Sequence, residues 1–279
     1  MRAILILSLT MIFFGSELFA GGHSSTLQDV KARGKLRCVV TTGLPGFAAP
    51  DANGVWRGFD WDFCRATAAA VFGDANAVDP ITSTGKTRFT KLNAGEGDVL
   101  WRNTTITFSR DVSVKLRFLG VNYYDGQGFM VNKSLGVRSA KELDGASVCI
   151  QTGTTTELNL ADYFSSNNMS YEAVTIETND EARQNYEAGR CDIYTTDAYG
   201  LASTRSSLPN PNDHMVLPEI ISKEPLGPAV RQGDDAWADI ITWVLNATVT
   251  AEELGVNSAN VDKMRNSNNP EIRRMLGTD

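Results

Sequence analysis

The apolar pattern of this chain reads strand, helix, strand, helix, strand and then starts again, and few folds satisfy that rhythm. Leu36, Cys38 and Val40 alternate with Arg37, Val39 and Thr41 as a first strand, and Gly43, Pro45, Gly46 and Pro50 follow as a loop. Apolar spacing near 3.6 predicts a helix from Phe59 to Phe72, ended by Gly73. A short strand at 78–81, a helix over 88–94 stopped by Gly95, and a buried strand at Val99, Leu100 and Trp101 complete the first half. Strands alternating with helices predict a parallel sheet with crossover connections.

The second half repeats the scheme without an obvious sequence repeat. Strands are predicted at 128–131, 147–150, 174–176 and 191–194, with helices over 155–164 and 181–188. Two similar α/β lobes joined by a hinge is the economical fold, and 279 residues suffice for two lobes. Trp237, Ile240, Ile241, Val244 and Ala247 trace an amphipathic helix that returns the chain to the first lobe. Pro270 then opens a short helix stopping at Gly277.

Hydrophobic residues at 42% and charged residues at 21% describe a soluble globular chain, and a net charge of -7 argues against a nucleic-acid partner. Met1, Arg2 and the apolar stretch 3–14 have the form of a secretory signal too short to span a bilayer, with cleavage after Ala20 or Gly22. No cysteine stands in the lipidation position, so a lipid anchor is not expected. In an exported chain the four cysteines predict two disulfides. Three pairings are open; two cysteines per half favour Cys38 with Cys64 and Cys149 with Cys191. Without a CxxC spacing, and with only His23 and His214, neither a metal site nor a cofactor is expected.

Three segments carry candidate binding chemistry. The run 102–110 follows the strand ending at Trp101 and offers the donors of Arg102, Asn103, Thr104 and Thr105 before closing on Arg110. Ligands of open α/β sheets bind outside the carboxyl ends of strands, and a guanidinium matches a carboxylate in bidentate fashion. The alternative is a surface turn with an exposed arginine. Gly153, Thr154, Thr155, Thr156 and Glu157 stand between a strand and a helix, where Thr154 and Glu157 form a capping box and the helix start favours an anion. Asp197 follows the last strand and would hold an ammonium, unless it is merely a turn former. Together the three segments describe a receptor for a zwitterion.

These residues bring out a wider resemblance. The chain resembles the periplasmic solute-binding proteins of the polar amino-acid ABC-transporter family, in particular their general L-amino-acid-binding branch. The likeness is carried by Gly43 through Phe47, by Gly58, Phe59 and Asp60, by Arg102 through Thr105 with Arg110, and by Tyr123 through Gly128. It continues through 153–157, through Gly189, Arg190, Cys191 and Asp192, and through Lys223 to Pro228. It implies a type II two-lobed binding protein, each lobe a parallel-rich sheet flanked by helices, with a two-strand hinge near Tyr124 and Ile221. The implied division is a signal peptide at 1–22, lobe 1 at 23–124, lobe 2 at 125–222 and a return to lobe 1 at 223–279. Arg110, helped by Gly153, Thr154 and Thr155, is implied to bind the α-carboxylate, Asp197 the α-ammonium, and Asn103 and Thr105 to add hydrogen bonds. Leu44 and Phe47 belong to the first-lobe loop beside the ligand.

Some features depart from the family pattern. Leu44 stands where many relatives place an aromatic, and Thr41 where receptors for cationic side chains carry an acid. Arg102 is then free to face an acidic or amide side chain, which implies a broad site including Glu, Gln, Asp and Asn. Relatives run on past this chain's end at Asp279, so a truncated chain or a shortened variant with uncovered first-lobe surface is expected. The expected role is capture of free L-amino acids in the periplasm by a monomer that delivers them to an inner-membrane ABC permease. A ligand-sensing partner of a receptor is the alternative. A lyase on the same fold is disfavoured, because His214 lies in a polar loop far in sequence from the cradle.

Overall fold

The computed structural model describes residues 25–279, so the expected signal peptide at 1–22 and His23 lie outside the described residues. Two five-stranded sheets organise the chain. The first orders its strands Val78–Ser83, Leu36–Thr41, Val99–Leu100, Ala229–Arg231 and Leu116–Phe118. Its first three run parallel, with Cys38 opposite both Pro80 and Val99, and Ala229–Arg231 runs antiparallel to its two neighbours. The second sheet orders Tyr171–Ile176, Ala146–Gln151, Ile193–Asp197, Gln127–Asn132 and His214–Val216, again three parallel neighbours and then an antiparallel strand.

The two sheets share one topology because each receives its antiparallel strand just after the chain crosses between lobes. Tyr123–Asp125 and Glu224–Leu226 form the crossing pair, with Tyr124 opposite Pro225 and Asp125 opposite Glu224. The second crossing sits beyond Ile221, whose N–H still bonds the Gln127 carbonyl of the second sheet (2.9 Å).

Leu36–Thr41 differs from its alternating appearance. Leu36, Cys38 and Val40 pack with Trp61, Phe63, Trp237 and Ile241, while Val39 packs with Leu92, Leu100 and Leu116 on the other face. A central parallel strand is covered by helices on both faces, so alternation of polarity is lost there. The second lobe repeats this, with Phe129, Val148 and Ile193 on one face and Met130, Cys149 and Tyr194 on the other.

Local signals explain the helix starts. Helix Thr155–Ser166 begins at its capping box, where Thr154 Oγ1 accepts from the Glu157 N–H (3.3 Å) and Glu157 reaches back to the Gly153 N–H (3.0 Å). Helix Asn179–Glu187 starts two residues ahead of its apolar spacing because Thr178 caps it through the Glu181 N–H (3.1 Å).

Cys38 bonds Cys64, tying the first strand to the helix on its face, and Cys149 bonds Cys191; the Cα separations are 5.9 and 5.5 Å. No helix among the described residues is long and apolar enough to cross a membrane. The bridges close loops of 26 and 42 residues, worth about 3–4 kcal/mol each in unfolded-state entropy. Replacing either pair with alanine should lower the denaturant-derived stability by about that amount. Thiol labelling of the native oxidised chain should find no reactive cysteine.

Candidate functional site

The carboxyl ends of the parallel strands of both sheets face each other across one crevice. Ser83, Trp101, Gln151, Ile176 and Asp197 end or follow those strands, and the charged side chains gather just beyond them. On the first lobe, Arg110 sits in the short helix Phe108–Ser113, capped at Thr107. Its guanidinium is buried, donates to the Thr105 carbonyl (2.9 Å) and lies over the Phe89 ring (5.3 Å).

Asn103 is fixed by Asp60, whose Oδ2 accepts its backbone N–H (2.8 Å). Its Nδ2 then donates across the crevice to Asp197 Oδ2 (3.5 Å), while its Oδ1 is buried without a hydrogen-bond partner. Thr105 Oγ1 lies 3.3 Å from Thr155 Oγ1 on the other lobe. Arg102, rather than pointing outward, is 4% exposed, beside Asp60, with Nε donating to the Ser83 carbonyl (3.3 Å).

Asp197 is the last strand residue and also the N-cap position of helix Ala198–Ser207, yet its side chain makes no cap bond. Asp125 from the first crossing strand takes that part, accepting the Tyr199 N–H at Oδ2 (3.3 Å), and the Gly126 carbonyl accepts the Ala198 N–H (2.8 Å). The Asp197 carboxyl is thereby left to the crevice.

Gly153 has φ +71°, and a Cβ there would lie 2.9 Å from the Lys86 Cα. In this closed arrangement the close approach that glycine permits is made by the first lobe's backbone. Thr154 is engaged in its cap and in a bond to the Gln151 carbonyl (2.7 Å). Leu44 and Phe47 form an apolar cluster with Leu226, Tyr123 and Tyr199; the Phe47 ring meets Tyr199 edge-on at 4.6 Å. Further bonds join the lobes directly, Asn179 Nδ2 to Thr41 Oγ1 (3.2 Å) and Ser203 Oγ to the Pro45 carbonyl (3.0 Å).

Two charged residues escaped the sequence reading. Arg88 opens helix Arg88–Asn93, is 3% exposed, and donates to Thr104 Oγ1 (3.1 Å) and the Gly85 carbonyl (3.2 Å). Nothing in the spacing separates this arginine from a solvated one. Glu224, 2% exposed, accepts hydrogen bonds from both lobes. Its run 223–228 was visible as a motif, but no strand pattern marks it as part of the site.

The crevice thus holds three guanidinium groups, Arg88, Arg102 and Arg110, against the carboxyls of Asp60, Asp197 and Glu224. Burial pushes the Asp197 carboxyl up to about 7, reinforced by Asp125 and Glu224 and opposed by Asn103 and Arg88. Burial also lifts Asp60 to about 6, against the Asn103 N–H and Arg102. It lowers Arg102 to about 10, Asp60 opposing, and lowers Arg110, with Glu224 and Asp197 opposing. Burial thus holds the Asp60 and Asp197 carboxyls above their ordinary range even with three guanidinium groups beside them.

His214 is remote from this chemistry. It pairs opposite Asn132, whereas Asp197 pairs opposite Gln127 on the same strand; five residues along a strand is about 17 Å. Its Nδ1 lies 2.8 Å from the Tyr186 hydroxyl. Among the described residues no group of three or more His, Cys, Asp or Glu is placed to hold a metal.

Comparison with known proteins gives four concordant likenesses. The model of the bacterial extracellular solute-binding proteins, family 3, matches residues 36–257. Over 273 residues the chain is 61% identical to a glutamate/glutamine/aspartate/asparagine-binding protein of Rhodobacter capsulatus, covering 96% of this chain and 81% of the relative. It is 58% identical over 269 residues to a general L-amino acid-binding periplasmic protein of Rhizobium johnstonii, covering 95% and 79%. Among solved structures, an ABC transporter periplasmic binding protein from Brucella ovis with glutathione bound matches with a TM-score of 0.89 at 56% identity. That match covers 92% of this chain and 81% of the other.

Asp197 has a consequence measurable without any ligand. Its value of about 7 stands above the ordinary 3.8. The stability it confers is therefore full below about pH 4 and is lost as the pH rises to about 7. Asp197→Asn should stabilise the empty protein at pH 8, by an amount on the order of a few kcal/mol, and leave stability at pH 4 nearly unchanged. Paired urea titrations at the two pH values measure the difference.

Proposed function

Because the chain belongs to family 3 of the bacterial extracellular solute-binding proteins, we propose that it captures free L-amino acids, glutamate, glutamine, aspartate and asparagine among them, between its closing lobes. It acts in the periplasm as a monomer and delivers its cargo to an inner-membrane ABC permease. The observation that carries this reading is the facing of Asp197 by Asn103 at 3.5 Å, with Arg110 buried beside them. A carboxylate acceptor on one lobe and a guanidinium on the other match the two charged ends of an amino acid.

In this reading Arg110 takes the α-carboxylate, aided by the backbone of the helix start at Gly153, Thr154 and Thr155. Asp197 takes the α-ammonium, with the Asn103 Oδ1 and Thr105 as further partners. The ammonium brings to Asp197 the positive charge that its burial lacks, so ligand binding favours the ionised carboxyl. Arg102 and Arg88 face the ligand side chain, where a carboxylate or amide oxygen suits them. Leu44 and Phe47 supply the apolar wall. Only the closed state brings both halves of the cradle together, so ligand shifts the population toward closure, the shape the permease reads. The chemistry in this reading is binding: among the described residues the cluster holds guanidinium groups, hydroxyls and the carboxyls that take the ligand, and His214 stands apart from it.

A γ-glutamyl ligand is the second reading, favoured by the Brucella structure. The γ-glutamyl end of glutathione carries the same α-carboxylate and α-ammonium as glutamine, so one cradle can serve both. A thermal-shift screen against the twenty amino acids and glutathione tests the function and separates the ligands; no shift with any of them refutes both readings.

Calorimetry checks two further outcomes. Arg110→Ala should weaken glutamate binding about 100-fold or more, as expected for losing charge-assisted hydrogen bonds, while the fold is retained. Glutamate affinity should fall about tenfold per pH unit below pH 7, with proton release on binding, because the ligand requires the ionised Asp197. Asp197→Asn should remove that pH dependence together with most of the affinity.

A further inference from the structure

Glu224 stands on the second crossing strand, outside the segments that the zwitterion reading uses, yet it reaches the centre of the crevice. Its Oε1 accepts from Ser222 Oγ (2.7 Å) and Asn159 Nδ2 (2.8 Å), and its Oε2 from Thr155 Oγ1 (3.1 Å) and from Thr105 Oγ1. A carboxylate has about four acceptor positions and no donor, so these four donors fill it. A threonine hydroxyl has one proton, and here the protons of Thr105 and Thr155 both go to Glu224. What each hydroxyl has left to offer is its lone pairs.

We propose that Glu224 is a positioning residue that sets the hydrogen-bonding sense of the crevice: it makes Thr105 and Thr155 acceptors toward the ligand, so that they read the ammonium rather than a carboxylate. The inference rests on the amino-acid-binding reading and deepens it. Thr105 belongs to the first lobe, Thr155 and Asn159 to the second, and Glu224 to the hinge. The set is therefore complete only when the lobes meet, and closure itself turns the hydroxyls into acceptors. Selection for an α-amino group then has two sources, the charge of Asp197 and the oriented hydroxyls.

Glu224→Gln tests this with little change in shape. The amide keeps one oxygen but presents an NH2 where a carboxylate oxygen stood, and a hydroxyl facing that NH2 must accept from it and turn its own proton toward the ligand. The probes are L-glutamate and glutarate, which carries the same two carboxylates without the ammonium. The variant should bind L-glutamate about tenfold or more weaker, with glutarate affinity unchanged or improved, so that discrimination between the two narrows. Unchanged L-glutamate affinity, or equal losses for both ligands as a merely structural hinge residue would give, overturns the proposal. Should Glu224→Gln fail to fold, Thr155→Val and Thr155→Ser decide: valine should narrow the same discrimination and serine restore it, and a valine variant that discriminates like the wild type overturns the idea. A wild type that binds no amino acid overturns the functional reading itself, an outcome distinct from all of these.

Discussion

Six ionisable side chains lie buried where the strands of two sheets end, and no other feature of the molecule demands so much of its surroundings. An ion taken out of water costs several kcal/mol unless its partners replace the lost hydration. Each group here has a local answer. Asp60 accepts a backbone N–H, Glu224 is enclosed by four donors, and the three guanidinium groups donate to carbonyls and hydroxyls. Asp197 is satisfied least, having only the long bond from Asn103. Its burial, with the Asp125 and Glu224 charges nearby, therefore lifts its carboxyl above the ordinary range. In the proposed reading Asp197 is also the group that gains most from an arriving cation, so the residue least favourable to the empty fold would be the one most useful for binding.

Such an arrangement needs a rigid frame, and the frame comes from sheets covered on both faces. Parallel strands deliver their carboxyl ends to one side, which is why residues as distant as 83, 102, 151 and 197 meet there. The disulfide Cys38–Cys64 holds a central strand to its covering helix. The chain passes between the two sheets through the crossing pair Tyr123–Asp125 and Glu224–Leu226. Both crossing strands also carry an acid that works in the crevice. Asp125 caps the helix that would otherwise claim Asp197, and Glu224 bridges the lobes.

Much of this was legible in the sequence because it is encoded locally. The capping box at Thr154 and Glu157, the glycines after helices, and the chain positions of the four cysteines are short-range signals, and the structure places them accordingly. Helix Ala198–Ser207 was not legible, since Gly200 and a run of Ser and Thr give it no apolar stripe and its cap comes from Asp125, far away in sequence. Arg88 and Glu224 were missed as site residues for a related reason. A charged side chain reads as exposed until tertiary partners bury it, and those partners are assembled by the sheets, not by neighbours along the chain. Arg102 shows the same effect, being drawn inward beside Asp60.

The position of Ala229–Arg231 carries a consequence for the order in which the molecule can be assembled. This strand lies inside the first sheet, between Val99–Leu100 and Leu116–Phe118, and the helix Asp235–Glu253 that follows supplies Trp237 and Ile241 to the same core. The strands of the second sheet, by contrast, all fall between residues 127 and 216 without interruption. A chain emerging amino end first can therefore finish its later lobe before its earlier one. The amino-terminal segment must wait, with an open gap in its sheet, until nearly the whole polypeptide has appeared. The segment 229–253 is thus the latch of the earlier lobe, and a chain cut short before it would lose the core of its first sheet while its second sheet kept every strand.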